Sequence, residues 1–244
     1  MNRDQRPRGQ RPGRAPAAMA REAGDLPFSG ALRPHRGGLA GGEEYDGDHF
    51  ADTTFGDADA GGCRFTECAF PSVTLDGGTL RKSRFSDVWL RDVRLVPADL
   101  AETGWLDATF PNCAAAGAQV SGSSLRRVVF HGCKLDSVNV RTAVLTDVAF
   151  EGCLLRDVDF GEARLVRTRF PGSRLTGAGF TGAVLEEADL RGADLSIAAG
   201  YDSLRGAVID GVQLATIAPL LAKHMGIDVR DTGRRANRRS RTAP

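Results

Sequence analysis

The sequence predicts a solenoid of short stacked units, and two interlocked registers carry that prediction. Every fifth residue from Phe50 onward is large and apolar: Phe50, Phe55, Phe65, Phe70, Leu75, Leu80, Phe85, Leu90, Leu95, Leu100, Trp105, Phe110 and so on to Leu195. Of these 30 centres only Ala60 and Ala115 are not large, and eleven of the twelve phenylalanines sit at centres. Two residues before each centre lies a small or β-branched side chain, from Cys63, Cys68, Val73, Ser83, Val88, Val93 and Ala98 to Ala193, with Asp48 as the exception. A period of five fits neither a helix at 3.6 nor a flat strand at 2. It fits units too short to bury a core alone, which must stack on their neighbours.

The units Ala183-Val184-Leu185, Ala188-Asp189-Leu190 and Ala193-Asp194-Leu195 follow the pattern A-D/N-L-x-x. That pattern, sustained over roughly residues 46–214, resembles the pentapeptide-repeat family. The resemblance implies an all-β solenoid, a right-handed quadrilateral β-helix in which four pentapeptides make one twenty-residue coil. The centre and the small residue before it would point inward, and the other three positions outward. The sequence supports the twenty-residue coil by itself. Phe110, Phe130, Phe150 and Phe170 are spaced by twenty, with Phe50 and Phe70 in the same column. Gly132, Gly152, Gly172 and Gly192 recur two after a centre, where each coil must turn. Pro71, Pro111 and Pro171 fall one position earlier. About eight coils at a strand spacing of about 4.8 Å make a rod on the order of 40 Å long.

Taken in order, residues 1–42 are rich in Arg, Pro, Gly and Ala, lack the register and read as a flexible basic lead-in, with Met19 as a second candidate start. Residues 43–211 form the repeat. The register slips by one around Gly200-Tyr201 and resumes over Leu204 to Ile209. Residues 212–229 form a helical cap with Leu214, Ile217, Leu220, Leu221 and Met225 apolar, Pro219 placed at the start of its final helix and Gly226 as its stop. Such a cap covers a last coil whose edge would expose unpaired backbone groups. The resemblance further implies a homodimer contact at this end, so the same five side chains are the candidate cap and dimer residues. Residues 230–244 carry Arg234, Arg235, Arg238, Arg239 and Arg241 and read as a solvated tail. No aromatics are interleaved with them, so stacking on single-stranded nucleic acid is not expected.

Chemistry-bearing constellations are missing. Cys63, Cys68, Cys113, Cys133 and Cys153 all fall in the small inward position, and no Cys-x-x-Cys pair exists. They read as buried small hydrophobes rather than metal ligands or disulfides. The first segment has no apolar stretch of signal-peptide type, so the chain is expected to be cytoplasmic with reduced thiols. Asp57-x-Asp59-x-Gly61 hints at a calcium loop, but Cys68 stands where the bidentate Glu belongs. No nucleophile elbow, Walker loop or dinucleotide fingerprint follows a strand. A packed solenoid also offers no deep cleft. The expectation is therefore a non-enzyme with no catalytic residues, cofactor or metal, and without a membrane span.

Charge is unevenly placed. Residues 43–214 hold 26 acidic and 17 basic side chains, a net of −9, and the basic flanks restore an overall +1. Some pentapeptide-repeat proteins bind DNA gyrase or another type II topoisomerase as mimics of the double helix, so the resemblance raises that partner here. Two outward columns are candidate acidic surfaces. One reads Asp59, Thr79, Asp99, Gln119, Asn139, Asp159, the other Glu67, Asp87, Asp107, Arg127, Asp147, Arg167, Glu187. Arginines interrupt the second, and mixed rows favour mutual neutralisation. Trp89, Val129 and Leu154 are outward apolar residues suited to an unknown protein partner. Two functions stand, a protein-binding scaffold and a DNA-mimicking topoisomerase modulator.

Overall fold

The computed structural model describes residues 23–230; what the sequence suggests for residues 1–22 and 231–244, including Met19 and the arginines from Arg234 to Arg241, lies outside the described residues. The chain winds through about eight turns of a β-solenoid whose neighbouring coils pair in parallel. Partners lie twenty residues apart, as in Phe65↔Phe85, Trp105↔Leu125 and Leu135↔Leu155. Faces one and two, centred on Tyr45 and Phe50 in the first coil, merge into one 12-stranded sheet. They join because Arg84–Arg91, Gly104–Pro111 and Ser124–His131 run as continuous eight-residue strands around the corner. Face three is a seven-stranded sheet from Thr54–Gly56 to Arg174–Thr176. Face four is a ladder of single bridges from Asp59↔Thr79 to Gly179↔Ala199.

The core follows from the two registers. Centres are buried along the rod, with Leu95, Val120 and Phe130 partly so, and every small inward position from Ser83 to Ala193 is buried. Identical twenty-residue spacing stacks like rings on like rings. Phe50–Phe70, Phe65–Phe85, Phe110–Phe130, Phe130–Phe150 and Phe150–Phe170 have centroids 4.6–5.0 Å apart with interplanar angles of 4–19°. Tyr45 extends the register one unit earlier than Phe50, stacking on Phe65 at 4.9 Å. Polar residues in the small column are served by the preceding turn. Ser83, Ser123 and Ser173 donate to the carbonyls of Ala60, Leu100 and Phe150 and accept from the amides of Cys63, Thr103 and Cys153. Thr168 Oγ1 is buried with no hydrogen-bond partner among the described residues.

Both ends depart from the repeat. Residues 23–42, expected as a flexible lead-in, lie along the coil. Two short 3-10 turns, Ala23–Asp25 and Ser29–Ala31, precede Arg33–Pro34, which pairs with Asp48–His49. His35 Nδ1 meets Asp48 Oδ1 at 3.1 Å, and the Tyr45 hydroxyl accepts from Ala40 N. At the other end the expected slip is visible in the pairing. Ala188 faces Ala207, nineteen residues on instead of twenty. Helix α1, Gly211–His224, then crosses the last coil. A capping box of Asp210 and Gln213 sets its start, so Pro219 lies inside the helix and not at its beginning, a correction to the sequence expectation. Gly226 closes it with φ +71, its left-handed conformation suiting glycine.

Phe150 sits 3 % exposed between Phe130 and Phe170. Phe150→Ala is expected to lower stability by roughly 3–5 kcal/mol in calorimetry or denaturant titration, and a loss well under ~1 kcal/mol would place that column outside the core. Thr168→Val removes an unpartnered buried hydroxyl and is expected to raise stability by on the order of 1 kcal/mol. A clear loss would show that the hydroxyl has a partner.

Candidate functional site

The second acidic column turns out to be a corner. Glu67, Asp87, Asp107, Arg127, Asp147, Arg167 and Glu187 all have φ between 50 and 56°, the left-handed region. Short acidic and amide side chains tolerate it better than most because they hydrogen-bond locally. The same position elsewhere holds Asp52, Asp57, Asp92, Glu102, Asn112, Asp157 and Glu162, as well as Ser72, Lys82, Ser137 and Thr142, or glycine. Backbone geometry therefore accounts for much of this acidity. The column also neutralises itself. Arg127 clamps Asp107 through Nε and Nη2 at 2.6 and 2.5 Å, and Arg167 clamps Asp147 at 2.6 and 2.8 Å, each across one coil. The Arg167 hydrogen bond holds the Asp147 carboxyl below the usual range, and the Arg191 fork does the same to Asp189.

The first column has a different local task. Asp99, Asn139 and Asp159 accept from the backbone amides two residues on, Ala101, Arg141 and Gly161, at 2.8–3.0 Å. These turns let the side chain brace the corner. Arg81 reaches Asp99 at 3.4 Å and Glu102, and Arg141 reaches Asp159 at 3.3 Å and Glu162. Asn139 donates to Gln119 at 2.8 Å. Asp59, Glu67 and Glu187 stand exposed. The candidate carboxylates are thus in rows, as their spacing predicts, but arginines sit across several of them.

The apolar candidates divide. Trp89 points away from the bore yet is 1 % exposed, so it offers no free patch. Leu26, Phe28 and Leu32 of the N-terminal strap pack over it together with Ala69. That correction has a signal in the sequence: Leu26-Pro27-Phe28-x-x-x-Leu32 is the apolar stretch within an otherwise polar lead-in. Val129 is half-buried, and Leu154 is exposed on face three. In α1, Ile217 is buried against the last coil and Leu221 packs against its core, whereas Leu214, Leu220 and the following Met225 are exposed. The five cysteines are buried unpaired thiols. Cys113 and Cys133 donate to the Leu90 and Phe110 carbonyls, and burial pushes the Cys68 thiol up to about 11. Among the described residues no helix is long and apolar enough to cross a membrane.

Two hollows matter. Inside the bore a void of about 30 Å³ lies among Phe55, Phe70, Leu75, Leu90, Leu95 and Phe110, so the interior is filled. At the C-terminal end a cleft of about 920 Å³ opens between the last coil and α1.

Two family models match the chain: pentapeptide repeat region over residues 103–180 and pentapeptide repeats (8 copies) over residues 49–87. No curated protein matches. Among solved structures, the chain is similar to HetL, a pentapeptide repeat protein involved in heterocyst differentiation regulation from the cyanobacterium Nostoc sp. strain PCC 7120. The identity is 19 %, over 70 % of this chain and 92 % of that one, with a TM-score of 0.35. Full-length QnrB1, a plasmid-mediated fluoroquinolone resistance protein, aligns at 14 % identity over 80 % of this chain and 100 % of its own, with a TM-score of 0.29.

Because Asp147 and Asp189 have depressed folded values, their contribution is complete above the unfolded carboxylate value of about 3.9 and fades as pH falls through the lower folded ones. The unfolding midpoint is expected to hold steady down to about pH 5 and drop below about pH 4, with a shallower drop in Arg167→Ala. An identical acid slope in that variant would deny the Asp147 clamp any role.

Proposed function

Because this chain belongs to the pentapeptide-repeat family, we propose that it is a non-catalytic protein-binding module that works through its outer faces and its C-terminal end. The observation that carries this is the N-terminal strap. On face two, the outer surface of the coil already holds an apolar segment, with Leu26, Phe28 and Leu32 closing over Ala69 and Trp89. The filled bore directs recognition to the outside, where flat parallel strands present side chains at fixed spacing. Exposed Leu214 on α1 and Met225 just after it extend the same kind of surface to a second copy of the chain.

A second reading, a DNA-mimicking modulator of DNA gyrase or another type II topoisomerase, is favoured by the net −9 of residues 43–214. It ranks lower because Arg81, Arg127, Arg141 and Arg167 lie across the rows that mimicry needs continuous. A gyrase supercoiling assay with purified protein, with and without a fluoroquinolone, separates the two. The binding-module reading expects no effect at micromolar protein. Dose-dependent inhibition, or relief of drug-induced cleavage, would overturn that ranking.

A further inference from the structure

A parallel coil leaves its last turn with backbone donors and acceptors that a next turn would have used, and the C-terminal segment caps several of them. Gly182 N donates to Ser203 Oγ at 3.0 Å, and Leu190 N donates to Val208 O at 2.9 Å. The Gln213 amide, helped by those of Gly192 and Val212, holds the Asp210 carboxyl below the usual range, which sets Asp210 beside the last coil. Gln213 Nε2 donates to the carbonyls of Leu190 and Ala193 at 2.6 and 2.7 Å. Each group from residues 203–213 stands where a further coil would have placed backbone.

Face three is different in its donors: there the Tyr201 hydroxyl caps a carbonyl, that of Ile197, at 2.8 Å. Asp194 O accepts from Leu175 N at 2.9 Å, and Ser196 O accepts from Gly177 N at 2.7 Å, so both carbonyls point back along the rod. Among the described residues all peptide bonds are trans, and the N–H of a trans peptide unit points opposite to its C=O. The amides of Leu195 and Ile197 therefore point away from the preceding coil. They face the cleft that Leu195, Ile197 and Tyr201 line on one side and Thr216, Leu220, Lys223 and His224 on the other. Two donors separated by two residues, about 6.6 Å apart, are the edge pattern that an extended parallel strand satisfies.

The geometry points to this cleft as a peptide site that takes an extended segment of a protein partner by adding a strand to face three. The segment's carbonyls two residues apart would accept from Leu195 N and Ile197 N, continuing a ladder already seven strands long. Its large apolar side chain would rest between Leu195 and the exposed Leu220, as each leucine centre of that face rests on the one before. The chain's own residues 231–244 hold no large apolar residue to fill that place. This inference rests on the binding-module reading and adds the site and the ligand chemistry to it.

The probe is a capped heptapeptide, Gly-Ser-Arg-Leu-Thr-Gly-Ala, the sequence of residues 172–178, which occupies face three one coil earlier. Amide exchange is followed by NMR in the full chain. Without peptide, the Leu195 and Ile197 amides are expected to exchange at least about tenfold faster than those of Leu175 and Gly177. Peptide at about 1 mM should slow both selectively, and Leu220→Asp should abolish that slowing while leaving the Leu175 amide protected. No slowing, or slowing spread over other faces, overturns the proposal. Protection already present without peptide also overturns it: loss on dilution would assign the edge to a second copy, and loss on deleting residues 231–244 to the tail. A partner that binds Leu220→Asp as well as the unaltered chain would sink this site and leave the binding-module reading intact.

Discussion

The inter-coil ladder is the constraint from which the rest of this molecule follows. Most backbone amides find their acceptor one turn away, so position n and position n + 20 share the same conformation and the same direction. Three demands then recur at nearly every unit, with exceptions such as Ala60 and Ala115 at centres and Pro97 at a corner. The centre must be large and apolar, the residue two before it must fit beside it inside the bore, and the residue two after it must accept a left-handed turn. Phe130, Phe150 and Phe170 stack because the ladder holds their backbones in line. Ser123 and Ser173 can be polar inside the bore because the ladder brings carbonyls of Leu100 and Phe150 within reach.

The same constraint organises the surface charge. A carboxylate at a left-handed corner, such as Asp107 or Asp147, meets the equivalent corner of the next coil, and an arginine there closes a fork. Asp99 and Asp159 are bound to backbone amides of their own turns. Exposed pairs of this kind contribute little individually. Their effect is on the field: a rod with a strongly negative composition presents alternating signs along its edges. Composition and surface potential are therefore separate properties here, since the sequence count weighs all carboxylates alike.

Much of the fold was legible because a five-residue register specifies inside and outside directly. The columns of phenylalanine, the corner glycines and the slip near Gly200 all reappear as pairing offsets and dihedral angles. What a register cannot express is how a non-repeating segment lies on a repeating one. Trp89 is outward by register and buried in fact, because Leu26 and Phe28 come from residues that share no period with it. Pro219 was misplaced for a related reason. The helix start is decided by the Asp210 side chain and its reciprocal bond with Gln213, a local contact that outweighs proline's preference for a first turn. The acidic columns were correctly ordered by spacing, but the clamps across them depend on side-chain reach from one coil to the next.

The two ends face one problem and solve it with different chemistry. At the start, Arg33–Pro34 supplies a short strand and His35, Leu39 and Tyr45 cover the first ring of the core. At the finish, single side chains, Ser203 and Gln213, each replace a backbone group of a coil that is never built. Substitution group by group stops where the chain turns into α1, and face three receives only the Tyr201 hydroxyl, on the Ile197 carbonyl. Repeat positions are largely dictated by the ladder, so they leave little freedom to encode a partner. That freedom lies where the period breaks, in the strap over Trp89 and in the uncapped amides of Leu195 and Ile197, and it is there that recognition by this rod has room to be specific.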